Sequence, residues 1–229
     1  MEAPPAAHGP RRELKTRNTA WAQALARRAC ASGITPNAIS VFSIIFAALA
    51  MTFYLIAPDL TRGGSSLAWF AAAACIQGRL LCNLLDGMVA VEGGKASVTG
   101  PIFNEVPDRL ADVLILVGAG YSTAVEPGVI KLFDILPLGW SCAVLALGTA
   151  YLRVLQGTLT GKQSFIGPMA KQHRMAVLTL GTLLAILETW LHPGENHALK
   201  LALILIFLGA ILTCLRRLNL IIRELHAPH

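Results

Sequence analysis

The sequence predicts an all-α polytopic membrane protein with six transmembrane helices and an N-terminal amphipathic interfacial helix. Composition is the first reason: of 229 residues, 55% are hydrophobic and 14% charged, with a mean hydropathy of +0.60. Soluble domains carry about 25% charged residues. The second reason is that the apolar residues form six runs near the roughly 20 residues that a membrane-spanning helix needs. We therefore expect one domain whose solvent is the lipid bilayer.

The N-terminal region is expected to lie outside the bilayer. Residues 1–17 are rich in Pro, Ala and Arg and contain no apolar run, which favours a disordered basic tail over a signal peptide. Residues 18–33 place Trp21, Leu25 and Cys30 on one side of a helix and arginines on another. This pattern is typical of an amphipathic helix on a membrane surface, and an ordinary soluble helix is the alternative.

Residues 34–225 are expected to form the membrane domain. Thr35 or Asn37 can cap the first span, and Pro36 suits a helix start. The five cysteines include no CxxC pair, so we expect them to be reduced core residues. The six spans are expected at about 37–57, 67–91, 104–124, 137–157, 173–191 and 198–219.

Lysine and arginine outside the spans predict the orientation. Fourteen of them fall on the side that holds both termini and the connections after the second and fourth spans, and three fall on the opposite side. Because positively charged segments stay in the cytoplasm, both termini should be cytoplasmic. No basic stripe interleaved with aromatic residues is present, so we do not expect nucleic-acid binding.

The polar stretch from residue 83 to residue 112 is the strongest functional signal in the sequence. At three- and four-residue steps, polar and small residues fall on one face of the second span and one face of the third. Carboxylates inside a membrane are costly unless they share a cation or a proton, so these faces should meet around a bound ion. The faces carry Asn83, Asp86, Gly87 and Ala90 on the second span, and Asn104, Asp108 and Asp112 on the third.

The spacing of these residues resembles the CDP-alcohol phosphotransferase family. The family pattern on the second and third spans is DxxDGxxAR, eight further residues, then GxxxDxxxD. Asn83 and Asn104 stand where the family has aspartates, and Val91 stands where it has an arginine. The resemblance covers most of the chain and matches at Asp86, Gly87, Ala90, Gly100 and Asp108.

The resemblance implies transfer of a phosphatidyl or other substituted phosphate group from a CDP-alcohol to the hydroxyl of an acceptor alcohol. CMP would be released, with Mg²⁺ or Mn²⁺ as cofactor. By analogy with the bacterial branch of the family, the donor is expected to be CDP-diacylglycerol and the acceptor a phosphorylated polyol. The same analogy implies a homodimer in the bacterial inner membrane with a cytoplasmic active site.

Two other functions compete with this one. The first is a catalytically silent relative that acts as a lipid-binding or assembly subunit, and it is motivated by Asn83, Asn104 and Val91. The second is a small transporter or channel that uses intramembrane acids. A transporter should show broken helices or internal repeats, and the sequence has no convincing repeat.

The resemblance also implies roles for individual residues. Asp108 matches the general base. Gly87, Ala90 and Gly100 would leave room for the nucleotide. Because an amide brings no charge to a cation, we expect at most one tightly bound metal. The metal ligands would be drawn from Asp86, Asp108, Asn83, Asn104 and Glu105, although Glu105 could instead face lipid headgroups or cap the helix.

Basic residues near the same end of the spans have two interpretations. Arg153, Lys171 and Arg174 could clamp a phosphate of the donor or acceptor, or they could simply anchor the cytoplasmic side. Inside the spans, a buried cation usually has a partner. We therefore expect Asp86 as the structural partner of Arg79, and for Asp112 a structural hydrogen bond or an ion pair with Arg109.

Overall fold

The computed structural model describes residues 17, 19–94, 98–123, 138–192 and 196–226, and within these ranges the chain is helical without a strand. The predicted tail lies outside the described residues except for Arg17. A 3₁₀ turn at Ala57–Asp59 follows the second helix. The α-helices of the described ranges are α1 Ala20–Ala31, α2 Pro36–Ile56, α3 Arg62–Glu92, α4 Gly100–Ser122, α5 Leu138–Thr160, α6 Lys171–Leu191 and α7 His197–His226.

Five of these seven helices, namely α2, α3, α5, α6 and α7, are long and apolar enough to cross a membrane. The other predicted span is α4, which is long enough at 23 residues but carries four charged side chains between residues 105 and 112. Two of them, Asp108 and Asp112, are buried against other helices. The count of six spans therefore stays a prediction that depends on α4.

The first helix lies against α3. Ala22 and Ala26 are fully buried and pack on Leu84 and Met88, while Trp21 is exposed. A helix is present where the amphipathic one is expected, and its place on a membrane surface stays a prediction. Its fully buried residues are alanines, whereas Trp21 is exposed. The smallest apolar side chains are buried because they allow α1 to approach α3 closely.

The start of α2 follows the predicted capping. The hydroxyl oxygen of Thr35 accepts a hydrogen bond from the backbone N–H of Ala38 at 3.2 Å, and Pro36 occupies the first helical position. A proline costs nothing there because its missing N–H would have no partner within the helix. The start of α2 is thereby fixed close to α1.

Small residues let the helices approach each other closely. The end of α4 meets the start of α5 at Gly120 and Gly139: a Cβ on Gly120 would lie 2.4 Å from the Gly139 Cα atom. The Tyr54 and Thr182 hydroxyls, 2.5 Å apart, join α2 to α6 in the core. All five cysteines are free, and three are buried. Close contacts between helix backbones, such as that of Gly120 with Gly139, are typical of helix pairs in membranes.

A methyl group at position 120 should destabilise the protein. Gly120→Ala places a Cβ inside the Gly139 backbone, so we expect the free energy of unfolding to fall by about 1–3 kcal/mol. Gly148→Ala is the matched control, because its Cβ would meet only the Cys214 sulfur at an ordinary 3.6 Å. Thermal unfolding in detergent measures both variants, and equal midpoints would contradict the close α4–α5 contact.

Candidate functional site

Asp108 is the centre of a buried polar cluster between α3, α4 and α6. Asn83 Nδ2 donates to Asp108 Oδ1 at 2.7 Å, so the polar faces of α3 and α4 are in direct contact. Lys171 Nζ donates to the other carboxylate oxygen at 2.5 Å. Arg79 Nη2 donates to the Asp108 backbone carbonyl at 3.1 Å and lies 3.4 Å from Oδ1. Three donors from two neighbouring helices thus hold one carboxylate.

One turn later on α4, Asp112 accepts from two arginines. Arg79 Nη2 and Arg174 Nη2 each donate to one of its carboxylate oxygens at 2.8 Å, and all three side chains are at most 1% exposed. Arg174 also donates to the Thr149 hydroxyl and the Met169 carbonyl, each at 3.1 Å. Arg174 is therefore committed to acceptors within the protein.

The ion pairs within the spans differ from those expected. The sequence suggests Asp86 as the partner of Arg79 and Arg109 as a partner of Asp112. In the structure Arg79 contacts Asp108 and Asp112, and Arg109 pairs with Glu105 at 2.5 Å. Asp112 has its two carboxylate oxygens occupied by Arg79 and Arg174, which leaves Arg109 to pair with Glu105. For Arg79 the reason is distance, because the seven residues to Asp86 correspond to about 10 Å of axial rise along the helix. The neighbouring helix is closer than that.

Asp86 has a different environment from the other two buried aspartates. Its Oδ2 accepts a hydrogen bond from the Ser40 hydroxyl at 2.7 Å. Among the residues that the structure describes, no cationic side chain forms an ion pair with it. A buried carboxylate without a cation is costly. This is where an additional positive charge would stabilise the site most.

Glu105 and Asn104 lie at the edge of the cluster. Glu105 is half-buried and forms ion pairs with Arg109 on its own helix and with Arg153 on α5. The Arg153 guanidinium also lies over the Phe165 ring, 5.5 Å from its centroid. Asn104 is exposed. The structure therefore brings Asn83 into the buried cluster but leaves Asn104 outside it.

The residues expected to line a nucleotide pocket are accessible. Gly87 and Ala90 are half-buried on α3, and Gly100 is half-buried at the start of α4. A Cβ on Gly87 would lie 3.1 Å from Arg17 Nη2, so the guanidinium of Arg17 rests on this glycine. The space next to Gly87 is therefore occupied in part by Arg17.

Sequence reasoning missed two residues near Asp86. Ser40 belongs to an apolar run, where a serine usually bonds to its own helix, and it also donates to the Pro36 carbonyl. Arg17 belongs to the segment for which the sequence predicts a disordered tail. No periodicity links either residue to the motif, because both approach it from other segments of the chain. Only the packing of α1 and α2 on α3 reveals them.

Asp86 and Asn83 supply the oxygens of the cluster that remain for a hard divalent cation, a smaller set than two cations would need. Asn83 uses its amide N–H group on Asp108, which leaves its carbonyl oxygen one turn from Asp86. Mg²⁺ and Mn²⁺ favour carboxylate and amide oxygens. Both carboxylate oxygens of Asp108 already accept hydrogen bonds, one of them from Lys171, and Asn104 is exposed. Over the described ranges, no group of three His, Cys, Asp or Glu side chains is placed to hold a metal.

A cleft of about 550 Å³ opens between α4 and α5 beside this cluster. Its lining residues are mostly apolar, and several of these side chains are exposed on the outside of the bundle. Glu105 and Arg109, which pair with each other, are its charged lining residues. The lining residues are Pro101, Ile102, Glu105, Val106, Arg109, Leu147, Ala150, Tyr151 and Val154.

Sequence comparison gives one curated relative and no family. No protein-family model matches the chain. Inner membrane protein YnbA of Escherichia coli (strain K12) is 28% identical over 137 residues, which are 59% of this chain and 63% of that protein. The matched region is thus less than two thirds of the length of the relative. Together with the five apolar helices, it supports a multi-pass membrane protein.

The matches to solved structures cover more of the chain than the sequence match does. Phosphatidylinositol phosphate synthase (PgsA1) of Mycobacterium tuberculosis in complex with manganese and citrate superposes with a TM-score of 0.71 at 19% identity, covering 91% of this chain and 93% of that one. The chain has the same fold. The synthase with CDP-DAG bound gives a TM-score of 0.69 at 19% identity over 87% and 92% of the two chains. Its apo form gives 0.66 at 20% identity over 86% and 93%.

Removing the charge of Asp112 should destabilise the helix bundle. Asp112→Asn leaves Arg79 and Arg174 buried without an anion between them, so we expect the free energy of unfolding to fall by about 3–5 kcal/mol. Glu105→Gln is the control, an acid-to-amide change at a half-exposed pair on the same helix, where the loss should be at most about 1 kcal/mol. Denaturation in detergent measures both. Equal losses would contradict the proposed difference between the two sites.

Proposed function

We propose that the protein transfers a substituted phosphate group from a CDP-alcohol to the hydroxyl of an acceptor alcohol and releases CMP. One observation carries this proposal: Asp86 and Asp108, at the spacing of the motif, are buried on neighbouring helices in a fold shared with a synthase solved with CDP-DAG bound. The neighbouring Asn83 joins α3 to Asp108 directly. Buried carboxylates of this kind in a membrane domain are most often functional.

Asp108 is the proposed general base. As the acceptor oxygen forms its bond to phosphorus, the hydroxyl proton passes to an Asp108 carboxylate oxygen, and the bond from phosphorus to the CMP oxygen breaks. Lys171 occupies Oδ2 in the absence of substrate. Its flexible side chain is partly exposed at the start of α6, so it can leave that oxygen as an acceptor hydroxyl arrives.

Asp86 and Asn83 are the proposed ligands of a divalent cation. When bound, Mg²⁺ or Mn²⁺ would supply positive charge to the diphosphate and to the departing CMP. Ser40 holds Asp86 in place from α2, which fixes the direction of the carboxylate. Gly87 and Ala90, which are half-buried on the same helix, leave space for the nucleotide.

CDP-diacylglycerol is the proposed donor. The cleft between α4 and α5 is mostly apolar, opens at the side of the bundle and has Glu105 and Arg109 as its charged lining residues. Acyl chains match such a surface, whereas a water-soluble alcohol such as choline would leave it uncovered. The half-exposed Glu105–Arg109 ion pair would then lie close to the headgroup.

A phosphorylated polyol is the proposed acceptor. Of the three basic residues considered for its phosphate, Arg153 and Lys171 are partly exposed and Arg174 is fully buried. We assign the phosphate to Arg153 and Lys171, and we give Arg174 the role of a positioning residue for Asp112. The name of the matched relative and the distribution of charge favour a bacterial inner membrane with the site facing the cytoplasm. A homodimer remains part of the proposal.

A catalytically silent, lipid-binding relative is the second candidate. The observation in its favour is that both carboxylate oxygens of Asp108 accept hydrogen bonds from protein side chains. If Asp108 keeps these hydrogen bonds when substrate is present, it cannot accept a proton. The protein would then bind a CDP-alcohol without turnover. The two candidates differ in whether CMP appears.

The base assignment makes a kinetic prediction. Purified protein with CDP-diacylglycerol, Mg²⁺ and a panel of polyols and polyol phosphates should release CMP and form a new lipid, which mass spectrometry identifies. Asp108→Asn should reduce turnover by about 10²–10⁴-fold, because an amide cannot take the proton. The control Asp59→Asn changes an exposed aspartate on the 3₁₀ turn and should leave turnover unchanged. Full CMP release by Asp108→Asn would exclude the assignment, and binding of the donor without CMP from any acceptor would favour the silent relative.

The charge of the cluster predicts the metal stoichiometry. Calorimetric titration with Mn²⁺ should find at most one tight site in the nucleotide-free protein, because Asp108 and Asp112 already have cationic partners. Asp86→Asn should remove this site and Asp59→Asn should retain it. A second site should appear only when a CDP-alcohol is present. Two tight sites without nucleotide would contradict the charge argument.

A further inference from the structure

Arg17 places a guanidinium on α3 next to the proposed donor site. A Cβ built on Gly87 would lie 3.1 Å from Arg17 Nη2 and 3.8 Å from Cζ. Gly87 directly follows Asp86 in the chain. Because glycine has no side chain, the guanidinium can lie against the helix backbone itself. The contact brings a permanent positive charge to the residue after the proposed metal ligand.

The docking of α1 holds Arg17 in this position. Ala22 and Ala26 of α1 pack on Leu84 and Met88, which lie on either side of Gly87 along α3. The segment that leads into α1 therefore starts close to the glycine. The position of Arg17 follows from a packed helix interface and not from a free end of the chain.

The guanidinium has no anion to neutralise it in the described part of the chain. Its Nε is buried without a hydrogen-bond partner there, and none of the ion pairs between described residues includes Arg17. Asp86, the neighbouring carboxylate, is bonded to Ser40. Arg17 as a whole is half-buried. A partly desolvated cation without an anion costs free energy, and a bound anion would recover it.

At position 91, α3 lacks the arginine of the family pattern. The family pattern has an arginine there, whereas this chain has Val91, which is 63% exposed. Gly87 lies one helical turn earlier on the same side of the helix. Arg17 thus brings, from another segment of the chain, an arginine to the face of α3 where the pattern would carry one.

We infer that Arg17 binds the diphosphate of the CDP-alcohol donor over Gly87. The inference rests on the proposed function. A guanidinium presents parallel N–H donors that match two phosphate oxygens, and it keeps its charge at every relevant pH. Phosphates of bilayer lipids offer the same chemistry, but the contact lies at the motif glycine, where the nucleotide is proposed to bind.

Binding measurements on the full-length protein in uncharged detergent test this inference. Arg17→Ala should raise the Kd for CDP-diacylglycerol and for CDP by about 10- to 100-fold, as expected for loss of a charge-assisted hydrogen bond. Cytidine, which has no phosphate, should bind equally to both proteins. The matched control is Arg28→Ala, which removes an exposed arginine of α1 and should change each Kd by less than about twofold.

Two further variants separate the contact from a folding defect. Gly87→Ala places a Cβ 3.1 Å from Arg17 Nη2 and should weaken CDP binding while leaving the arginine present. Arg17→Ala combined with Val91→Arg should recover part of the lost affinity, because it returns a guanidinium to the same face of α3. Unchanged thermal midpoints would show that both proteins are folded.

The outcomes distinguish this inference from the proposed function. If the natural protein binds CDP-diacylglycerol and Arg17→Ala binds it equally well, the inference is wrong and the proposed function stands. If the variant instead loses binding to vesicles of anionic phospholipid while its affinity for CDP is unchanged, Arg17 contacts lipid headgroups and the inference is again wrong. If the natural protein binds no CDP-alcohol, the proposed function and the inference about Arg17 are both wrong.

Discussion

The arrangement of the helices depends on one shared carboxylate. Asp112 of α4 accepts from Arg79 of α3 and from Arg174 of α6, and all three side chains are buried. Arg174 extends the connection to Thr149 of α5. Separating any of these helices would leave a charge without its partner in a low-dielectric interior, where the penalty is several kcal/mol per ion, on the order of the net stability of a whole domain. The positions of the four helices are therefore coupled.

The proposed site uses the same helices one turn away. Asp108 precedes Asp112 by one turn of α4, and Lys171 precedes Arg174 by one turn of α6, so the two ion pairs are stacked along the same interface. The inner pair is fully buried and the outer pair is partly accessible. An inner pair that fixes the helices allows the outer one to exchange partners with a ligand without disturbing the fold. Functional groups held by a rigid second set of contacts keep their geometry in this way.

Much of the fold could be predicted from the apolar runs, since each predicted span overlaps one helix of the structure. The ends differ where helices continue beyond their apolar runs: α3 begins at Arg62 and not near residue 67, and α7 continues to His226. Spacing along one helix predicted that Asn83 and Asp108 lie on functional faces. Spacing carries no information about which helix lies opposite. The partners of Arg79 and Asp86 on α4 and α2, and the contact of Arg17, therefore required the structure.

The amide at position 83 follows from the same charge balance. Its Nδ2 donates to Asp108 Oδ1 at 2.7 Å, a distance at which an aspartate would set two like charges against each other and require a cation between them. Asn83 supplies the hydrogen bond itself, so no cation is needed between positions 83 and 108. The cluster then contains three buried aspartates and three cations, Arg79, Lys171 and Arg174. Because the charges of this set sum to zero, a diphosphate arriving at the proposed site would need further positive charge. In the proposal that charge comes from an ion at Asp86, which forms no ion pair with another described residue, and from Arg17, which has no anionic partner in the described ranges.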